Sequence, residues 1–258
     1  MLSVKKDSVA HIIVVTLAVC FVCSIAVSMA AVLLRDQQNI NSELARKRNI
    51  LIAANVIDPQ KVTPAEVEDI FSRAEVKLVD LQEGSFIDEA DSPIDISTYD
   101  QRKAEGDPQL SMDLNSKQDI ASISRRERYS LIYYINNGDK TSAIFPIRGY
   151  GLWSTLRGYL ALSTADYNTI VGVTFYEHAE TPGLGGEVDN EDWKNQWRGK
   201  KLFSDDGSST IQLTRTASGS DNQVDALSGA TLTSNGVNNL INFWFGELGF
   251  GDLINKLK

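Results

Sequence analysis

From Ile12 to Leu34 the chain carries no charged residue for 23 positions. At about 1.5 Å of helical rise per residue, such a run covers the ~30 Å hydrocarbon core of a bilayer, which makes a transmembrane helix the first element to place. A cleaved signal peptide competes with it. Lys5 and Lys6 supply a basic start, and Ser28-Met29-Ala30 ends in small residues as a cleavage site does. The run outlasts the usual signal core of roughly 7–15 residues, and Ala31, Val32, Leu33 and Leu34 carry it past that cut, which favours an uncleaved anchor. Charge does not orient the anchor, because Lys5 and Lys6 on one side face Arg35, Arg46, Lys47 and Arg48 on the other. Cys20 and Cys23 lie three apart inside the run. Small apolar packing residues are the ordinary reading of such cysteines, with metal ligation or contact with a partner protein as the alternative.

Those two are the only cysteines, so the chain beyond the anchor has no thiol for disulfides, iron–sulfur clusters or thiolate zinc sites. The only histidines are His11 and His178, which leaves no His-pair metal motif and no conventional catalytic triad. No metal ligand set is assigned. A net charge of −9, from 25 Lys and Arg against 34 Asp and Glu, repels a phosphate backbone and argues against nucleic acid as a partner. Redox or group-transfer chemistry in this chain therefore needs a borrowed cofactor.

The spacing predicts an α+β architecture after the anchor. Asn41 to Asn55 reads as a juxtamembrane helix ending before Pro59, and Thr63-Pro64-Ala65-Glu66 is a capping box that starts another, with Val67, Ile70, Phe71 and Ala74 as its apolar stripe. Between Asp80 and Arg128 the pattern is polar and weakly periodic, broken by Asp91-Ser92-Pro93 and Gly106-Asp107-Pro108, and reads as an insertion with little core. Strands are predicted at Leu131 to Ile135 and Ala143 to Ile147 around Asn137-Gly138, and at Tyr159 to Leu162 and Thr169 to Tyr176 around Asp166-Tyr167-Asn168. These form antiparallel hairpins, with one further strand at Thr210 to Thr214. Asn190 caps a short helix whose Trp193 and Trp197 share a face. From Ser234, the residues Val237, Leu240, Ile241, Trp244 and Leu248 mark an amphipathic helix with a capped start.

Just before that helix stands Asp225-Ala226-Leu227-Ser228-Gly229-Ala230-Thr231-Leu232-Thr233-Ser234, a run of small residues and hydroxyls. The first turn of a helix has unpaired N–H groups and the positive end of the dipole, so an anion at Thr231 would meet waiting donors. Hydroxyls that merely cap the helix are the plainer reading of the same spacing.

Asp225-x-x-Ser228-Gly229-Ala230-Thr231 resembles the flavinylation motif of the FMN-binding domains found in the NqrC component of the sodium-translocating NADH:quinone reductase and in its counterpart in the Rnf complex. A second stretch, Glu180-Thr181-Pro182-Gly183-Leu184-Gly185, is similar to a signature of the same domains, with Pro182-Gly183 as the central pair of a type II turn. The dinucleotide pattern Gly-x-Gly-x-x-Gly is absent. A third segment, Gly149 to Thr155, contains Trp153, which can stack on a flat ring or pack into the core.

The resemblance implies FMN joined through a phosphoester to Thr231, beside Ser228, Gly229 and Ala230, with Thr233 in the same cofactor-binding run. It implies Leu152, Trp153, Ser154, Thr181, Gly183 and Leu184 as neighbours of the ring. His178 and Glu180 could influence the protonation of reduced flavin, but a lone histidine at a strand end is more often an ordinary hydrogen-bonded residue, and neither is assigned catalysis. The organisation that follows is residues 1–36 as cytoplasmic tip and anchor, 37–128 as juxtamembrane helices and polar insertion, and 129–258 as the FMN-binding domain. The implied role is that of an electron-relaying subunit, inactive alone, in a membrane complex that oxidises NADH, reduces ubiquinone and exports sodium. The flavin domain then faces the periplasm and is matured by a flavin transferase, with membrane lipid and the other subunits as partners. An Rnf-type electron-transport protein is the alternative within the class, and a membrane-anchored scaffold without flavin the alternative outside it.

Overall fold

The computed structural model describes residues 9–138, 140–204, 207 and 210–258; the basic start at Lys5 and Lys6 lies outside the described residues. The chain divides into two compact units, Met1–Arg46 and Lys47–Lys258. The first holds most of α1, a helix running from Val9 to Ala53, whose apolar stretch presents its side chains outward. It is long and apolar enough to cross a membrane. The expected juxtamembrane helix is the continuation of this same helix, and its last turns, within the second unit, bury Ile50, Leu51 and Ala53.

In that unit α2 spans Pro64–Phe71 and begins as predicted. The Thr63 side chain accepts from the Glu66 N–H, the Glu66 carboxylate accepts from the Thr63 N–H, and proline occupies the first helical position. The strands that follow are β1 (Glu75–Asp80), β2 (Ser85–Ile87), β3 (Ser111–Asp113), β4 (Arg125–Glu127), β5 (Tyr129–Asn137), β6 (Lys140–Tyr150), β7 (Thr155–Ser163) and β8 (Ile170–Glu177), with the short helix α3 (Gln101–Ala104) between β2 and β3. Six of them form one antiparallel sheet in the order β2-β1-β5-β6-β7-β8. The predicted hairpins β5–β6 and β7–β8 are both present. Pro146 sits inside β6 because pairing with β5 stops at Ile144, so that side of the strand asks for no further N–H.

The turn from β7 to β8 is organised by Asp166. One of its carboxylate oxygens accepts from the N–H groups of Asn168 and Thr169, and the other from the Thr169 hydroxyl and the Lys201 ammonium. Burial alone would raise this carboxyl's pKa, but the bonds from Thr169, Lys201 and Asn168 outweigh it and hold it below the usual carboxylate range. A depressed folded-state value gives stability that is complete above the unfolded pKa of about 3.9 and is lost as pH falls through the folded one. Asp166→Asn should therefore flatten the acid limb of the stability curve below about pH 5 in urea titrations. An unchanged slope would remove Asp166 from that account.

Beyond β8 lie α4 (Glu191–Asn195), β9 (Gln212–Thr214), β10 (Gln223–Asp225), α5 (Thr231–Trp244) and α6 (Gly251–Leu257). Asn190 caps α4 as predicted, and Trp193 and Trp197 meet edge to face at 5.5 Å. The predicted strand near Thr214 pairs in parallel with β10, outside the main sheet. α5 lies against β6 at two glycines. A Cβ on Gly149 would stand 2.5 Å from the Leu240 Cβ, and one on Gly236 would stand 2.4 Å from the Tyr150 carbonyl oxygen. The Trp244 indole donates to the Arg148 carbonyl at 2.6 Å. These contacts set the start of α5 beside the end of β6.

β1 departs from the sequence reading, whereas the expectation of little core between Asp80 and Arg128 holds. β1 was not predicted, because Glu75, Lys77 and Asp80 mask its alternation; Lys77 lies over the rings of Phe86 and Tyr134, and Asp80 pairs with Arg128. The stretch from Asp80 to Arg128 contributes few buried apolar side chains, Leu81, Ala104 and Ala121 among them. Within it β2 joins the sheet by pairing with β1, and Glu105 and Glu127 add ion pairs to β6 and β7.

Candidate functional site

Three segments converge where β6, β8 and α5 meet. The first is Gly151–Ser154, between β6 and β7, closed by the Gly151 N–H donating to the Ser154 carbonyl at 2.8 Å. Leu152 and Trp153 point outward from it, and Trp153 is 64% exposed, so it is a surface ring and not a core residue. The second follows β8. Gly183 has φ of +75° and the Leu184 N–H donates to the Thr181 carbonyl at 3.1 Å, so Thr181–Leu184 is the predicted type II turn with Pro182-Gly183 at its centre. Thr181, Pro182, Gly183 and Leu184 are all exposed.

The third segment is the start of α5. Its N-cap is Ala230, which offers no side-chain bond. The helix begins at Thr231, three residues earlier than the apolar pattern indicated. Ser234 is inside it, donating its hydroxyl back to the Ala230 carbonyl and accepting from the Leu227 N–H, both at 3.0 Å. The hydroxyl-capping reading therefore fails at this helix. Among the described residues, nothing accepts from the N–H groups of Thr231, Leu232 and Thr233. Thr231 is exposed beside Ser228 and Gly229, which are exposed too, while Ala230 is buried. Gly229 has φ of +72° and a Cβ there would lie 3.0 Å from Leu184, which brings the second and third segments into contact.

A buried carboxylate joins the three. One oxygen of Glu180 accepts from the N–H groups of Trp153 at 2.9 Å and Ser154 at 3.1 Å, and the Leu152 N–H lies 3.1 Å from both oxygens. The other oxygen accepts from the Thr233 hydroxyl at 2.6 Å. Burial pushes the Glu180 carboxyl pKa upward, but donation from Thr233, Trp153, Leu152 and Ser154 outweighs it and holds the group below its ordinary value. Its oxygens are thus occupied by the chain itself. His178 is likewise engaged, with Nε2 at 2.7 Å from the Asp189 carboxylate and Nδ1 accepting from the Glu180 N–H.

The structure brings Leu152, Trp153, Ser154, Thr181, Gly183, Leu184, Ser228, Gly229, Ala230 and Thr231 into these three adjoining segments. The Thr233 side chain is buried and faces Glu180, so that hydroxyl is committed internally. The Ser154 hydroxyl accepts from the Ala179 N–H at 2.7 Å. Asp225 acts through its neighbours, its carbonyl accepting from the Trp193 indole and its carboxylate from the Ala217 N–H. Sequence reasoning missed Leu232, which is 59% exposed next to Thr231, and the joining role of Glu180. The signal for Glu180 was present as the first letter of its motif, but a contact between segments far apart in sequence leaves no periodicity to read.

The residues fit an FMN. An exposed hydroxyl stands at a helix start with unpaired first-turn amides, suited to a phosphate, and Trp153, Leu152, Leu184 and Leu232 give exposed apolar surface suited to a flat ring.

Comparison with known proteins agrees. The family described as the FMN-binding domain matches residues 151–246. The NqrC component of the Na(+)-translocating NADH-quinone reductase of Pseudomonas aeruginosa is 45% identical, with 98% of each chain covered, and that of Vibrio anguillarum is 42% identical over 98% of this chain and 97% of its own. The crystal structure of Shewanella oneidensis NqrC superposes with a TM-score of 0.71 at 35% identity, covering 82% of this chain and 95% of that one. The corresponding protein from Parabacteroides distasonis gives 0.63 at 26% identity, over 86% and 96%. With relatives matching over nearly its whole length and an NqrC crystal structure sharing its fold, the chain belongs to the NqrC family of Na(+)-translocating NADH-quinone reductase subunits.

Proposed function

We propose that this chain is an electron-carrying subunit of a sodium-pumping NADH:quinone reductase, and that it holds its FMN through a phosphoester on the Thr231 hydroxyl. The observation that carries the reading is the start of α5, where an exposed threonine occupies the first helical position and no side chain caps the first-turn amides. An aliphatic hydroxyl is a weak nucleophile unaided, so a separate flavin transferase makes the bond. The hydroxyl oxygen attacks the FMN phosphorus of FAD, the pyrophosphate bond breaks, AMP leaves and the hydroxyl proton is released. The phosphodiester retains one negative charge, which the positive end of α5 favours.

When bound, FMN supplies the redox chemistry, and this chain supplies position and surroundings. Thr231 would tether the group, the unpaired first-turn amides would meet its phosphate, and the exposed Leu152, Trp153, Leu184 and Leu232 would offer apolar surface to its ring. A tether suits a domain on the periplasmic side of the membrane, where a released cofactor would be diluted away. α1 anchors the domain in lipid, and the other subunits of the complex supply and withdraw electrons.

The test is the intact mass of the full chain purified from a host that co-expresses the transferase. It should exceed the bare chain by FMN less one water, and peptide mapping should place the increment on the peptide containing Thr231. A bare chain under those conditions would leave an anchored domain without flavin as the better reading.

A further inference from the structure

We propose that Glu180 is the positioning residue of the ring-facing loop. Its carboxylate is the anion around which Leu152, Trp153 and Ser154 fold, and through Thr233 it ties that loop to the helical turn bearing Thr231. The inference rests on the flavin reading of the site and adds a part that the reading does not contain.

Three successive N–H groups converging on one carboxylate make an anion-binding concavity of the backbone, here filled from within the chain. Glu180 is only 5% exposed, and among the described residues no cation pairs with it. Burying such a group is costly unless hydrogen bonds replace its water, and they do so from two directions. Neighbouring glycines are shaped by it. A Cβ on Gly151 would stand 2.7 Å from one carboxylate oxygen, and a Cβ on Gly185 would stand 2.8 Å from the other and 2.5 Å from the Thr233 hydroxyl. The glycine after Leu184 therefore makes room for the clamp, whereas Gly183 serves the turn. Leu152 and Trp153 are exposed, so little besides their backbone bonds fixes where their side chains sit.

The experiment is residue-resolved amide hydrogen exchange on the full chain in detergent micelles, without flavin. The amides of Leu152, Trp153 and Ser154 should be protected in the wild type. In Glu180→Ala their exchange should rise about 10–100-fold, the loss expected for bonds to a charged acceptor, with the strand amides of Ile144 and Leu160 unchanged. Glu180→Gln keeps the shape and one acceptor oxygen but loses the charge, so its exchange should rise by a smaller factor, about 3–10-fold. Should the alanine variant fail to fold, the glutamine variant decides alone. Exchange at the three amides equal to wild type in the folded variant overturns the proposal, as does an equal rise at the strand amides. In the flavin-loaded chain, Glu180→Ala should lower the flavin's fluorescence anisotropy and Glu180→Gln should restore it, which a merely structural residue would not do. Unchanged anisotropy overturns the positioning role. Because exchange is read without flavin, a chain that never takes FMN leaves that result standing, and a failed exchange result leaves attachment at Thr231 untouched.

Discussion

Thr231→Val should abolish covalent flavin entirely, while changing the stability of the soluble domain by no more than about 0.5 kcal/mol. The side chain is exposed, nothing bonds to its hydroxyl among the described residues, and the N-cap is Ala230, so the folded chain does not need that oxygen. Valine also keeps the branched shape. The measurement is in-gel fluorescence after denaturing electrophoresis, where only a covalent flavin survives, beside urea unfolding followed by tryptophan emission. Thr233→Val is the informative control two residues away. Its hydroxyl is buried on Glu180, so that variant should retain flavin fluorescence and lose about 1.5–3 kcal/mol, the usual worth of a bond to a charged group. Fluorescence surviving in Thr231→Val would move the tether to another hydroxyl, Thr233 or Ser228. The reverse pattern between the two threonines would do the same.

Thr231 and Thr233 look alike in sequence yet face opposite ways, one to solvent and one into the fold, and this marks where legibility ends. The long apolar helix could be read because an uncharged run of that length suits a spanning helix, and α2 because a capping box encodes its own hydrogen bonds within four residues. The turn at Pro182-Gly183 was legible for the same local reason, since only a residue that tolerates positive φ suits its third position. What escaped was non-local. The first turn of α5 contains no strongly apolar periodic signal, so the pattern pointed to Ser234, whereas the serine bonds back into the helix and its start is set by packing at Gly236 and Leu240. β1 escaped because its charges find partners elsewhere in the fold, Lys77 over Tyr134 of β5 and Asp80 on Arg128 between β4 and β5. The candidate site was legible as motifs through the resemblance, but the carboxylate that joins the motifs became visible only once Trp153 and Glu180, 27 positions apart, were folded together.

The same non-local logic gives the largest expected loss of stability, at Arg148. Its guanidinium, 6% exposed, donates to the Glu127 carboxylate at 2.7 Å and to the Arg125 carbonyl at 2.8 Å, and lies 3.1 Å from Glu105. Glu105 is also gripped at both oxygens by Arg157, and Glu177 by Arg102, so alternating charges run from the polar stretch before β5 across β6, β7 and β8. Glu127 is 1% exposed and its other oxygen accepts from Gln101. Arg148→Met removes the cation and leaves Glu127 buried without it, which should cost about 3–5 kcal/mol, a large part of the ~5–15 kcal/mol that holds a domain folded. Adding Glu127→Leu should restore at least ~1.5 kcal/mol, because what destabilises the single variant is the stranded charge and not the missing attraction. Urea unfolding of the four members of this cycle, on the full chain in micelles, measures the coupling. Additive losses would show that the polar stretch is held by something other than these charges. Flavin content should be equal in every member that folds, because the Arg148 group that meets α5 is its backbone carbonyl, which accepts from Trp244 whatever the side chain is.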